Sequence, residues 1–294
     1  MALNFRQLKL DIHSHIPELS PITIGVQVNL VYQRLLRMYK WNFLKTHDFF
    51  TTNAPYATGT CTVANGATTF VGAGGADFTT GTPIAVGDNV RVGTDKTFYE
   101  ITTITDATNL VLADNYVGSL GAGETYSIFR NVYNLASDFG EFVSLAHETS
   151  IHEVSSTYLN IDDPLRETSG KPTRYTMRGE TAAGLKRVEV YPVPDAAYLL
   201  YYTYLKTVSD LSADTDTPAI RDDVLLYSAL VDCYNLALVR NPDYATLIPY
   251  MEGKANATLR SLVAQEVRLE PEEKQRWLES ETSIMRHEGG RQIV

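Results

Sequence analysis

Residues 57 to 130 form a run of glycine, threonine and valine with short alternating apolar stretches, a pattern that packed β-strands joined by tight turns satisfy and helices do not. Strands are expected near 59–63, 68–71, 89–92, 98–104, 109–112 and 125–129, with turns at Asn65-Gly66, Gly72 to Gly75, Gly87-Asp88 and Gly118 to Gly123. Asn-Gly supplies the positive φ angles that a tight hairpin demands. Helical sequence precedes this stretch and mixed sequence follows it. It therefore reads as an all-β module inserted in a loop of a parent domain.

The flanking sequence is of a different kind. Ser20-Pro21 is a helix start, a hydroxyl cap ahead of a proline that suits the first turn. Val28, Val31, Leu35 and Met38 then recur at helical steps, with Gln33, Arg34, Arg37 and Lys40 mostly on the other side. An aromatic cluster, Trp41 to Leu44 and Phe49-Phe50, ends the segment. After the module, Arg187 to Tyr191 alternates charged and apolar side chains and Tyr198 to Leu205 is a dense Tyr/Leu run; Pro192 and Pro194 separate them. A two-stranded hairpin packed on helices is the simplest arrangement.

Asp222 or Asp223 can cap a helix carrying Leu226, Leu230, Cys233, Tyr234, Ala237 and Leu238, which Asn241-Pro242 stops. A second helix, about 244–268, presents Leu247, Met251, Ala255, Leu259 and Leu262, and the two are expected to form a hairpin. Beyond Pro271 the chain turns strongly charged and holds little that builds a core, as expected of a tail that orders against a partner. The expected fold class is α+β: a helical core (long N-terminal helix plus C-terminal helical hairpin) with a small β-hairpin or sheet, an inserted all-β module and an extended C-terminal tail. The corresponding domains are 1–56 with 131–270 as core, 57–130 as inserted β domain, and 271–294 as C-terminal extension.

Charge and cysteine usage narrow the function. A formal net charge of −10 argues against a protein that grips nucleic acid by neutralising phosphates. The same charge suits a subunit past which DNA slides without sticking. The 2 cysteines, Cys61 and Cys233, lie far apart, so neither zinc spacing nor a disulfide framework is implied. The first residues lack the apolar run of a signal peptide, and no stretch reaches the roughly 18 apolar residues that span a bilayer. Assembly in a reducing cytoplasm and no membrane partner are expected. Tyrosine is abundant, 18 against 10 Phe and 2 Trp, and its apolar ring with a polar tip suits surfaces buried on assembly.

Motifs that resemble chemical sites do not complete one. His147-Glu148 and His152-Glu153 differ from the zinc-protease pattern: the second histidine stands at i+5, about 140° around a helix from the first at 100° per residue. His13 and His15 have no acidic or cysteine partner suggested nearby. Asp210, Asp214 and Asp216 resemble part of a calcium loop without its glycine and terminal glutamate. Gly72, Gly74 and Gly75 lack the Lys-Ser/Thr of a phosphate loop, and the acidic pairs Asp162-Asp163, Asp222-Asp223 and Glu272-Glu273 suit solvated faces. No enzyme activity, cofactor or metal is expected.

Three segments together carry a resemblance. Tyr191-Pro192-Val193-Pro194-Asp195, the aromatic run Tyr198 to Tyr204, and Leu211-Ser212-Ala213-Asp214-Thr215-Asp216-Thr217-Pro218 ahead of a helix resemble the head-to-tail connector (adaptor) proteins of tailed bacteriophages. In that family a P-x-P-D turn joins two strands, the second aromatic-rich, and an L-S-x-D-x-D-x-P loop leads into a long helix. Trp41 to Leu44 resembles the family's W-x-F element. Tyr133 to Phe139 resembles its Y-x-L-P-x-D-F element, with Ala136 in place of the proline. The resemblance covers about 20–50 and 131–265.

It implies a virion structural protein of the neck or tail: a ring, usually of twelve copies, that joins the portal protein to the tail or nozzle protein and lets double-stranded DNA pass its lumen. By analogy the C-terminal extension docks on the portal, with Trp277, Leu278, Ile284 and Met285 as apolar contacts. The β module would reach capsid, fibres or a neighbouring subunit. The alternatives are a tail-completion or tail-terminator ring protein, which would leave the long helices unexplained, and a carbohydrate-binding tail component.

Overall fold

The computed structural model describes residues 3–81, 84–119 and 122–269. The chain divides into two compact units: residues up to Lys45 with those from Thr207 onward, and Thr46–Lys206.

The first unit is helical. Helices α1 (Phe5–His15), α2 (Pro21–Met38), α4 (Asp222–Ala237) and α5 (Ile248–Leu269) belong to it, α3 (Ser156–Asp162) to the other unit. Helix α4 is its centre: Val224, Leu225, Ala229, Leu230, Cys233, Tyr234 and Ala237 are buried, and α1, α2 and α5 each pack on it. Leu3 N–H donates to Asp222 Oδ2 (3.0 Å), and at the other end Arg240 donates to the Glu18 carbonyl (3.0 Å), so α1 runs alongside α4 in the same direction. A short 3₁₀ turn, Pro242–Thr246, returns the chain from α4 into α5. The polar side of α2 holds the loop that precedes α4. Asn29 exchanges two hydrogen bonds with the Leu211 backbone (2.9 and 3.0 Å), Gln33 donates to the Val208 carbonyl (3.0 Å), and Tyr32 Oη accepts from Ala219 N–H (2.8 Å).

Two of these helices start on caps written in the sequence. Asn4 and Gln7 form a reciprocal capping box at α1 (2.9 Å each way). Ser20 Oγ accepts the Thr23 N–H (3.2 Å) at α2. Ser20→Ala should cost about 1 kcal/mol, read as a lowered urea midpoint with an unchanged slope.

The second unit is almost entirely β. Strands β1 (Lys45–Thr51), β2 (Thr60–Thr62), β3 (Thr69–Ala73), β4 (Asn89–Val92), β5 (Phe98–Ile104), β6 (Asn109–Leu112), β7 (Ala122–Glu124) and β8 (Tyr126–Phe129) come first. Then follow β9 (Val132–Asn134), β10 (Phe139–His147), β11 (Thr149–Ser150), β12 (His152–Glu153), α3 (Ser156–Asp162), β13 (Arg174–Glu180), β14 (Lys186–Tyr191) and β15 (Leu199–Lys206).

Strands β2 to β8 form a seven-stranded sheet in the order β7-β2-β3-β6-β5-β4-β8. Its two end strands are one run of chain, with only Thr125 between them. Glu124 pairs with Cys61 of β2 while Ile128 pairs with Val90 of β4, so the sheet curls into a nearly closed barrel that removes exposed edges. Phe70, Phe78 and Tyr126 fill its interior with ring centroids 5.3–6.1 Å apart. That packing fixes two glycines. A Cβ at Gly72 would meet the Phe78 ring at 2.7 Å, and Gly59, at φ +89°, would bring one to 2.3 Å from the Ala73 carbonyl oxygen.

The remaining strands make two four-stranded sheets, β1-β15-β10-β11 and β12-β13-β14-β9. They share one aromatic core. Phe142 of β10 meets Tyr175 of β13 (4.9 Å between centroids), and Phe50 of β1 stacks on Tyr133 of β9 (5.0 Å). This corrects the expected fold class: the fold is α+β, but with extensive antiparallel sheets and a barrel-like sheet, where a small hairpin on a helical core was expected. The physical reason lies in β10. Register shifts between Phe139 and Glu141 and between Phe142 and Ser144 break the two-residue alternation, so its core residues are Phe139, Phe142 and Leu145, a three-residue spacing that mimics a helix.

Candidate assembly surfaces

Helix α2 is apolar on two faces. Ile24, Val28, Val31 and Leu35 are buried, whereas Ile22, Val26 and Leu30 stand four residues apart on the outside, 82%, 54% and 60% exposed. Side chains at i, i+4 and i+8 form one ridge along a helix. An aliphatic ridge left exposed among the described residues is a candidate contact surface. Below it, Arg34 pairs with Asp232 of α4 (3.1 Å) and Arg37 is exposed, so the ridge passes into a basic end.

A second apolar patch surrounds the α4–α5 turn: Leu236, Val239 (92% exposed), Leu247 and Tyr250. The Lys254 ammonium lies over the rings of Tyr250 (4.8 Å) and Tyr227 (5.3 Å), which keeps its charge beside an aromatic surface.

Most tyrosines of the aromatic strand serve the core. Along β15 Leu200, Tyr202 and Tyr204 point inward, and of its tyrosines Tyr201 alone faces out, beside the exposed Phe49 of β1 (6.2 Å). Their polar tips are matched: Tyr202 donates to Asp48 (3.0 Å) and accepts from Ala136 N–H (3.2 Å), and Tyr204 donates to Asp138 (2.7 Å). Burial pushes the Tyr202 hydroxyl up to about 12.

Where the barrel meets the sheet containing β9, a buried polar network replaces apolar packing. Only Arg130 and Asn131 separate β8 from β9. Arg130 reaches back to the barrel and clasps Asp88 with two bonds (2.5 and 2.9 Å). Asn131 accepts from Asn89 of β4 (3.1 Å) and donates to Glu189 of β14 (2.8 Å). Glu189, 0% exposed, takes Arg166 on the same oxygen (2.7 Å). Its other oxygen lies 2.5 Å from the Arg178 guanidinium, a charge contact without hydrogen-bond alignment. Arg166 stands at φ +51°, a left-handed backbone unusual for a side chain of its size, and its guanidinium also donates to the Leu159 and Asp163 carbonyls and to Asn160. Beside this network runs a cleft of about 770 Å³ lined by Asp88, Arg130, Asn131, Arg178, Arg187 and Glu189 among others.

The histidines and acids singled out in the sequence are placed separately. His147 Nδ1 bonds with the Leu199 carbonyl (2.9 Å), His13 Nδ1 with the Leu19 carbonyl (3.0 Å), and His15 and His152 are exposed. Asp216 accepts the backbone N–H groups of Ser212 and Ala213 (2.8 Å each), Asp214 pairs with Lys9 (2.8 Å), and Asp210 accepts from Gln33 (2.9 Å). These acids shape the loop that leads into α4. Glu148 pairs with Lys171. Among the described residues no group of three or more His, Cys, Asp or Glu side chains is placed to hold a metal ion, and no helix is long and apolar enough to cross a membrane. Trp277, Leu278, Ile284 and Met285 lie outside the described residues.

Burial pushes the Cys61 thiol up to about 11 and the Cys233 thiol up to about 12. Neither should react with a thiol reagent at neutral pH until urea unfolds the chain, a result that an absorbance assay of released thiolate reads directly.

The class to which this chain belongs is that of phage structural adaptors, components of the virus particle that interact with its other structural proteins. A family model described as SU10 adaptor protein matches residues 100–276, and the chain belongs to that family. The match begins inside β5 and takes in the second half of the barrel, both four-stranded sheets except β1, and helices α3, α4 and α5. The segment 20–50 lies outside it. No curated protein matches the chain.

Proposed function

We propose that the protein is the head-to-tail connector of a tailed phage: a ring of identical subunits, twelve by analogy with the family, that joins the portal to the tail or nozzle and lets double-stranded DNA pass its lumen. The observation that carries this reading is the ridge of Ile22, Val26 and Leu30 on α2, an aliphatic face left exposed among the described residues. In a ring built by rotation each contact joins two different patches, one from each neighbour. The ridge supplies one. The apolar patch around Val239 and Tyr250, carried by other helices, supplies a candidate for the second. A net charge of −10 keeps the lumen from gripping DNA.

On this reading residues 57–130 are an insertion in an adaptor core of 1–56 and 131–270, and 271–294 is an extension that docks on the portal through Trp277, Leu278, Ile284 and Met285. The extension is tested by a chain truncated before Pro271, compared with the full chain for binding to immobilised portal rings. Loss of binding with an unchanged circular-dichroism spectrum is expected. Equal binding of the truncated chain would remove the extension from the docking surface.

A further inference from the structure

We propose that the buried network at the Arg130–Asn131 junction is an orientation lock, which holds the barrel at one fixed angle to the sheet beside it and makes the module a rigid arm.

The barrel joins the sheets through two chain crossings, and the second of them is two residues long. A two-residue junction between packed elements is where a hinge would form, because hinges are a few residues at element ends that absorb φ/ψ change. Here both residues are clamped from both sides. Arg130 is held to the barrel by Asp88, whose side chain is 4% exposed, and to the sheet by Tyr133 Oη of β9, which donates to its carbonyl (3.0 Å). Asn131 is held to the barrel by Asn89, to the sheet by Glu189, and through its carbonyl to the sheet by Val190 N–H (2.8 Å). Rotation at either residue strands buried polar groups, each costing about 1–3 kcal/mol.

The other crossing is clamped as well. Thr52 N–H donates to the Tyr198 carbonyl (2.9 Å), Asn53 N–H to Tyr133 Oη (3.4 Å), and Tyr56 pairs with Ile128 of the barrel. A third strut joins β4 to the segment that follows α3. Arg91 of β4 donates to the carbonyls of Leu165 (2.6 Å) and Arg166 (3.1 Å), and Lys96 pairs with Glu167 (3.0 Å). These attachments are cross-linked, Tyr133 Oη joining the first crossing to the second and Arg166 joining the strut to Glu189, so rotation about any one of them breaks bonds in the others. The directional bonds of the network specify one angle, which an apolar contact of the same area would leave adjustable. Whatever the barrel touches is therefore met at an angle set by this chain rather than by the partner.

Cysteines placed at Ala107 in the barrel and Glu153 in β12, both exposed, take spin labels while the buried Cys61 and Cys233 stay silent. Pulsed electron resonance should give one narrow distance distribution for the otherwise unaltered full chain. Asn131→Ala should broaden it about twofold, and Arg91→Ala, which removes only the outer strut, should broaden it less, the graded loss expected when local contacts set local stability. Arg91→Ala keeps the test decisive if Asn131→Ala fails to fold. A broad distribution in the parent chain, or an unchanged one in folded variants, would overturn the lock.

Discussion

Glu189→Ala is expected to destabilise the second unit by about 3–5 kcal/mol, more than any single surface substitution, because it leaves the buried Arg166 guanidinium without its counter-charge. Arg166 and Glu189 have side chains 2% and 0% exposed, so water cannot take the place of the lost carboxylate. Arg166 keeps three oxygen acceptors but no negative charge among them. Glu189→Gln retains the shape and an oxygen for Asn131 and should cost less. Replacing both partners with apolar residues, Arg166→Met with Glu189→Leu, should cost less than the single alanine, since the expense lies in stranding one charge rather than in losing the pair. Urea unfolding followed by tyrosine fluorescence measures all three. A loss below about 1 kcal/mol for Glu189→Ala would mean that the network is open to solvent.

Leu30→Glu and Val26→Glu are expected to abolish ring assembly while leaving the subunit folded. Both side chains are more than half exposed, so the stability of the isolated subunit should move by no more than about 0.5 kcal/mol. Burying a Val or Leu side chain contributes about 2 kcal/mol, and a closed ring repeats it at every junction. The cumulative loss is thus far larger than the cost to one subunit. Sedimentation of the subunit shows whether the fold survives, and electron microscopy with portal rings shows whether assembly does. Wild-type rings from either variant would move the interface away from α2.

The barrel was the most legible part of the chain. Its strands alternate cleanly because one face fills a closed interior and the other faces water, and Gly66 does take the positive φ that Asn65-Gly66 announces, at +80°. The two four-stranded sheets were not legible to the same extent. The core residues of β10, Phe139, Phe142 and Leu145, stand three apart because the strand is bulged between them, and β1 carries Lys45, Thr46, His47 and Asp48, too polar to announce a strand. Helix α1 could have been found from Asn4 and Gln7, which is the capping pattern that the structure shows.

The functional surfaces were legible only in part. Ile22, Val26 and Leu30 are plainly apolar in the sequence, but a helix apolar on two sides does not say which side its own core covers. Glu189 was misleading for a sharper reason. The alternation Arg187-Val188-Glu189-Val190 places it on a solvent face, and the structure buries that face at the junction with the barrel and against Arg166. Burial of the second face of a sheet depends on what else the chain folds over it, which local periodicity does not carry.

The central claim, that these subunits form a ring on a portal, is tested most directly by mixing the purified full chain with portal rings and imaging the mixture by electron microscopy. The account predicts a symmetric ring of this protein capping one end of the portal. Portal rings left bare, with the chain folded and present in excess, would contradict it.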